Sequence, residues 1–236
     1  MHTILLSAGL GLRLRPITEK TPKCLVPING TPLLDIWLRR LTEAKLGPFL
    51  VNTHYLSEQV KNFIEQGAYK SQITLAHEPQ LLGTAGTLIK NIDFFEDNEG
   101  LLIHADNYCF ANFNKFISAH KNRPENCVMT MMTFRSNTPS TCGIVELDRK
   151  GVVTGFYEKI KSPPGNLANG AIYILSKDLL KNFKRDPSNL TDFSTEVLPK
   201  LVGRIYTYET KEQFMDIGTV KSYEKANQLA KKISKK

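Results

Sequence analysis

Short apolar runs alternate with amphipathic segments through the first half of this chain, and that alternation limits the folds open to it more than any other feature. Residues 3–7, 49–53, 73–77 and 101–105 are runs of strand length, rich in aliphatic and β-branched side chains. Between them, Leu34, Trp37, Leu38 and Leu41 recur at helical spacing behind Thr31-Pro32, which reads as an N-cap followed by proline at the first helical position. This face, Trp37 included, is expected to pack against a sheet. Segments 57–65, 84–89 and 113–120 also read as helices. Strand–helix repeats of this length predict the α/β class: a Rossmann-like, mainly parallel mixed sheet with helices on both faces. Ligands of such sheets gather at the carboxyl ends of strands. The Gly9–Gly11 segment, Glu78 and Asp106 all follow expected strand ends.

The pattern changes near Cys127. Residues 128–134, 143–147, 152–156, 171–175 and 205–208 read as strands, with a hairpin-like turn at Gly151. Helices are expected over 177–183, 193–201 and 220–233. No linker rich in Gly, Ser or Pro interrupts the chain, and no repeat is visible, so residues 1–236 are expected to form a single domain.

A chain of 236 residues can bury a large core without disulfides or metal. Cys24, Cys109, Cys127 and Cys142 are widely spaced with no Cys-x-x-Cys pair, which suits free thiols in the reducing cytoplasm. No apolar run approaches the ~20 residues that span a bilayer, and no signal peptide is read at the N-terminus. The net charge of +8 calls for an anionic partner. Lys231, Lys232, Lys235 and Lys236 carry half of that excess in the tail. No basic stripe with interleaved aromatics is present, so a small anionic substrate is expected rather than nucleic acid.

The first strand runs into Ser7-Ala8-Gly9-Leu10-Gly11-Leu12-Arg13-Leu14-Arg15-Pro16. Small residues leave backbone N–H groups uncovered, and such a loop can wrap phosphate oxygens. Arg13, Arg15 and Lys23 add positive charge for a polyphosphate. The spacing matches neither the Walker loop nor the dinucleotide fingerprint. Asp106 closes the apolar run 101–105. It is either a strand-terminal cap or a ligand of Mg²⁺, which takes one or two carboxylates together with substrate phosphates. Asp216 precedes Thr219, which reads as the N-cap of the last helix. The five histidines, His2, His54, His77, His104 and His120, show no ligand spacing, and no nucleophile has an identifiable base.

The loop with Pro22-Lys23-Cys24-Leu25-Val26-Pro27, then Glu78-Pro79-Gln80-Leu81-Leu82-Gly83-Thr84-Ala85-Gly86, Ala105-Asp106, Cys142-Gly143, Tyr157-Glu158-Lys159, Asn169-Gly170 and Phe214-Met215-Asp216-Ile217-Gly218-Thr219 together resemble, in order, the motifs of the sugar-1-phosphate nucleotidylyltransferases. The resemblance runs from about Thr3 to Asn227. It is greatest to the mannose-1-phosphate and heptose-1-phosphate guanylyltransferases. Leu10, Leu12, Phe214 and Val220 stand where the family has Gly, Thr or Ser, Trp and Pro.

The resemblance implies the nucleotide-diphospho-sugar transferase fold, with residues from 1 to about 125 as the nucleotide-binding half and from about 126 to 236 as the sugar-phosphate-binding half. It implies Mg²⁺-dependent transfer of a nucleoside monophosphate from a nucleoside triphosphate to a sugar 1-phosphate, giving a nucleotide sugar of the GDP-mannose or GDP-heptose type. Catalytic roles fall on Arg13 and Lys23. Nucleotide binding falls on Ala8, Gly9, Gly11, Glu78, Gly83, Thr84 and Asp106, and sugar-phosphate binding on Gly143, Glu158, Lys159 and Asn169. The metal carboxylates are Asp106 and Asp216. The setting is cytoplasmic, the partners are the two substrates and a second copy of the chain, and neither nucleic acid nor membrane is involved. The C-terminal β-helix domain of longer relatives is not expected. The alternatives are CTP-, UTP- or dTTP-dependent transfer to phosphocholine or a hexosamine 1-phosphate, and a non-catalytic sensor of nucleotide sugars.

Overall fold

The computed structural model describes residues 1–233, so Lys235 and Lys236 of the basic tail lie outside the described residues. In chain order the elements are β1 (His2–Leu6), β2 (Pro27–Ile28), β3 (Thr31–Pro32), α1 (Leu33–Glu43), β4 (Phe49–Thr53), α2 (Ser57–Gln66), β5 (Ile73–His77), α3 (Gly83–Lys90), β6 (Gly100–His104), β7 (Asn107–Cys109), α4 (Phe113–Lys121), β8 (Met129–Arg135), β9 (Gly143–Leu147), β10 (Val153–Glu158), β11 (Leu167–Leu175), α5 (Lys177–Arg185), a π turn (Phe193–Val197), α6 (Leu198–Leu201), β12 (Ile205–Glu209), β13 (Phe214–Asp216) and α7 (Val220–Ile233). The expected α/β architecture, a mixed and mainly parallel central sheet with helices, is what the chain adopts. The chain divides into two compact units.

One unit comprises Thr3–Leu81, His104–Phe110 and the chain from Gln213 on. Its sheet is parallel: β1 pairs β4 with Ile4 opposite Leu50, and β4 pairs β5 with Val51 opposite Leu75. All five residues of β4 are buried, as expected of a strand covered on both faces. The α1 stripe packs inward as its spacing predicts, with Leu33, Leu34, Trp37, Leu38 and Leu41 at 1% exposure or less. Thr31 and Pro32 do not cap and open the helix; they form β3, paired with β2 across the turn Asn29-Gly30, and the helix starts at Leu33. Both turn residues have positive φ, 48° and 83°, the geometry of a two-residue hairpin loop.

The other unit comprises Met1–His2, Leu82–Ile103 and Ala111–Glu212. Here β11 is the spine, antiparallel to β6 with Ile172 opposite Ile103, and antiparallel to β8 with Tyr173 opposite Met131. β9 and β10 form an antiparallel hairpin, and β12 runs parallel to β8. Met129, Met131 and Met132 are fully buried. The expected helix over 193–201 opens as a π turn before α6.

Candidate active site

In the parallel unit, the glycine segment lies between the end of β1 and a short 3-10 turn, Leu12–Leu14. Ala8 is buried, whereas Gly9 is exposed with open space where a Cβ would stand. Gly11 has φ of +64°, and a Cβ there would meet Thr18 Cγ2 at 2.9 Å. The Gly11 carbonyl accepts the Thr18 hydroxyl at 2.7 Å and the Leu14 N–H at 2.9 Å, which folds the loop back on itself. This leaves Arg13 and Arg15 exposed, and Leu12 54% exposed beside them.

Lys23 reaches Asp106, with Nζ 2.6 Å from Oδ2. The lysine side chain is 11% exposed and the aspartate 39%, so the pair faces out from a partly dry seat. Burial works to raise the Asp106 pKa, but the charges of Lys23 and His104 outweigh it and hold the carboxyl below the usual carboxylate range. Next to it the chain forms a feature no local pattern announces. β7 pairs antiparallel with β13, placing Asn107 opposite Asp216 and Cys109 opposite Phe214. The Ile217 N–H donates to the Asp106 carbonyl at 3.0 Å. The two candidate metal carboxylates, remote in sequence, thus sit at adjoining positions of one ribbon. Arg13 lies on the Asp216 side: a Cβ placed on Gly218 would lie 2.5 Å from Asp216 Oδ2 and 3.1 Å from Arg13 Nη2. From α1, the Trp37 indole N–H donates to the Asn107 carbonyl at 2.9 Å, and Arg40 stacks 4.8 Å over the Phe110 ring.

Glu78 is buried, at 2% exposure, and follows β5. Its Oε1 accepts the Asn52 amide at 2.9 Å, its N–H donates to the Thr53 carbonyl, and its carbonyl bonds His54 Nδ1 at 2.7 Å. Sequence reasoning misses Asn52; a polar residue inside an otherwise apolar strand run is the one signal that points to it. Cys24, beside Lys23, is buried, and burial pushes its thiol up to about 12 despite a hydrogen bond with Ser7. It is an inert thiol.

The other unit holds the remaining candidates. Gly83 lies against the Thr191 carbonyl, and Thr84 Oγ1 accepts the Phe193 N–H at 2.7 Å while the Ala85 N–H donates to Thr191 O at 2.9 Å. These contacts anchor the loop ahead of the π turn, and Glu196 secures the same loop by accepting the Thr191 and Asp192 N–H groups. Glu158 ends β10, with Oε1 2.9 Å from the Lys159 ammonium. Its other oxygen crowds Gly143, where a Cβ would lie 2.5 Å from Oε2. Lys159 is 62% exposed at its side chain and has φ of +49°, and its N–H donates to the Cys142 carbonyl at 3.1 Å. Asn169 sits at a bulge in β11, where pairing with β8 skips between Asn169 and Tyr173 and Ala171 has φ of +53°. Its Oδ1 accepts the Ala171 N–H at 2.8 Å and its amide donates to the Tyr173 hydroxyl at 2.7 Å. Gly143, Glu158 and Asn169 therefore belong to neighbouring strands of one unit, with Lys159 directly after β10 and β9 meeting β11 at Ala168 opposite Ile144. Among the described residues, no group of three or more His, Cys, Asp or Glu side chains could hold a metal, and no helix is long and apolar enough to cross a membrane.

The sequence model described as nucleotidyl transferase matches residues 2–233. A mannose-1-phosphate guanylyltransferase catalytic subunit beta of Drosophila pseudoobscura pseudoobscura is 29% identical over 94% of this chain, which spans 60% of that relative's length. The D-glycero-alpha-D-manno-heptose 1-phosphate guanylyltransferase of Campylobacter jejuni is 27% identical, covering 94% of this chain and 97% of its own. The crystal structure of HddC from Yersinia pseudotuberculosis complexed with GMP-PN superposes with a TM-score of 0.81 at 25% identity, over 98% of this chain and 100% of that one.

Proposed function

The chain belongs to the nucleotidyl transferase family, and from that premise we propose that it transfers a nucleoside monophosphate from a nucleoside triphosphate to a sugar 1-phosphate, releasing pyrophosphate. An oxygen of the sugar phosphate attacks the α-phosphorus. That oxygen is already anionic, so no general base is required, and catalysis reduces to positioning and charge neutralisation. The observation that carries the reading is the ribbon of β7 and β13, which gathers Asp106 with its Lys23 partner and Asp216 with Arg13 beside it.

The roles follow from charge and exposure. Arg13 takes the leaving pyrophosphate, and Lys23 the phosphates near the reaction centre. The segment Ala8–Gly11 offers backbone N–H groups to phosphate oxygens. Glu78 and the segment at Gly83 and Thr84 serve the base and ribose. Lys159 takes the sugar phosphate, while Glu158, Asn169 and the Gly143 backbone serve the sugar. Asp106 and Asp216 fit Mg²⁺, a hard cation that asks for one or two carboxylates and completes its shell with water and substrate phosphate. When bound, the ion neutralises phosphate charge. The names of the guanylyltransferase relatives favour GTP with mannose 1-phosphate or a heptose 1-phosphate. The four free thiols suit the cytoplasm.

The test is pyrophosphate release with GTP, CTP, UTP, dTTP and ATP, each crossed with mannose, glucose, heptose and N-acetylhexosamine 1-phosphates and with phosphocholine, in Mg²⁺. Release confined to GTP with mannose or heptose 1-phosphate is expected. Release only from CTP with phosphocholine would overturn the sugar acceptor, and silence across the panel would overturn transfer itself.

A further inference from the structure

Asn52 lies within β4 at 4% exposure, and its side chain spans both neighbouring strand ends. Its Oδ1 accepts the Ser7 N–H at 2.7 Å, and its Nδ2 donates to Glu78 Oε1 at 2.9 Å. Its own carbonyl accepts the Ser7 hydroxyl at 2.5 Å. Ser7 is the residue that leads β1 into Ala8 and Gly9. The backbone pairing of β1 with β4 stops at Leu5 opposite Val51, so the Asn52 side chain carries the connection two residues further. Ser7 is in turn hydrogen-bonded to Cys24, the neighbour of Lys23. One buried amide thus joins the root of the glycine segment to the Glu78 carboxylate. The position demands an acceptor and a donor at fixed spacing. Aspartate only accepts and leucine does neither, which leaves the amide as the fitting group.

We propose that Asn52 is a positioning residue for the nucleotide, holding the glycine segment and Glu78 at one spacing so that phosphate and nucleoside are met together. The inference rests on the nucleotide reading given above for those two groups. The competing role for a buried hydrogen-bonded amide is mere sheet mortar. The two roles separate because mortar, when lost, lowers stability and disturbs both substrates alike, whereas a positioning residue acts on the triphosphate.

The experiment is a double-mutant cycle in the full chain with Asn52→Asp, Glu78→Gln and the pair combined. It reads kcat, KM for each substrate, direct binding of GTP by calorimetry, and Tm. Asn52→Asp removes the donor to Glu78 and sets two carboxyls together. It is expected to raise the triphosphate KM and Kd by about tenfold or more, with the sugar-phosphate KM changed less than about twofold. In the Glu78→Gln background the same change should cost less than about threefold. There the Glu78→Gln side chain can turn its amide N–H toward the carboxylate that Asn52→Asp introduces, while the Ser7 N–H stays paired. An equal cost in both backgrounds overturns the proposal, as does a parallel rise in both KM values. If Asn52→Asp does not fold, Asn52→Ala tests the same split without the added charge, and equal effects on both substrates overturn it. If the wild type releases no pyrophosphate yet binds GTP, the transfer reading fails while the binding cycle still judges Asn52. If it neither turns over nor binds any of the five triphosphates, both fall.

Discussion

Lys23 and Asp106 show how little of a candidate site rests on a single side chain. Each is an ordinary charged residue in the sequence; at 2.6 Å apart on a partly buried seat they form one preorganised unit. Lys23→Met should lower turnover by about 10²-fold, the scale of losing one preorganised charge contact, with the sugar-phosphate KM nearly unchanged. Steady-state kinetics at saturating Mg²⁺ checks this, and near wild-type turnover would remove Lys23 from the mechanism. Gly218 makes a second residue-scale case. It is buried, and the missing Cβ is what lets the Asp216 carboxylate and the Arg13 guanidinium close on the same spot. Gly218→Ala should therefore cost about tenfold or more in turnover by displacing those groups, a loss kinetics on a folded variant with unchanged secondary structure would reveal. The glycines and charges were legible because chemistry restricts them to a few residue types. Asn52 was not, since a lone amide in a strand looks like any polar interruption until its partners are known.

At the scale of elements, most strands and helices lie close to where hydrophobic spacing puts them. β4, β5, β9 and α7 occupy 49–53, 73–77, 143–147 and 220–233 as read from the sequence alone. What spacing missed are the two-stranded pieces. The β2–β3 hairpin carried its own signal in Asn29-Gly30, a dipeptide suited to the positive φ of a tight hairpin, and the Thr-Pro cap reading competed with it. The β7–β13 ribbon carried none, because three-residue strands have too few positions to show a period. Its placement depends on α1 through Trp37, whose indole bonds the Asn107 carbonyl. Trp37→Phe keeps most of the buried ring and deletes that donor. It should destabilise the chain by about 1 kcal/mol, the scale of one hydrogen bond, and lower turnover several-fold through Asp106. Denaturant unfolding and kinetics on the same sample check both parts, and an unchanged turnover would show the ribbon held without α1.

At the scale of the whole molecule, stability should depend on pH through His120. The ring is 1% exposed, with Nδ1 2.8 Å from Thr130 Oγ1 and Nε2 3.2 Å from Glu99 Oε1. A carboxylate only accepts, so Nε2 carries the proton and Nδ1 accepts from the threonine. Burial, then the Arg123 charge, push its pKa from the ordinary 6.5 to about 4, with Glu99 pulling the other way. The folded pKa is depressed, so the unfolded chain binds the proton more readily in that window. The contribution is complete above pH 6.5 and is lost as pH falls toward 4, on the order of 3 kcal/mol in all. Tm measured from pH 7 to pH 4 should fall, and His120→Gln should flatten that part of the curve; a parallel curve for the variant would assign the acid sensitivity elsewhere.

Sequence alone determined the α/β class, the run of strands and helices, the family resemblance and the residue types able to handle phosphate. Those properties are local: periodicity, turn chemistry and the donors a side chain carries are set by a few neighbouring residues. Tertiary structure alone decided which of them meet. Asp106 and Asp216 adjoin because β7 and β13 pair, Lys23 is engaged by Asp106, and Thr84 faces the Phe193 N–H. Contacts between residues far apart in sequence depend on the summed packing of every intervening element, and no window of the chain contains that sum.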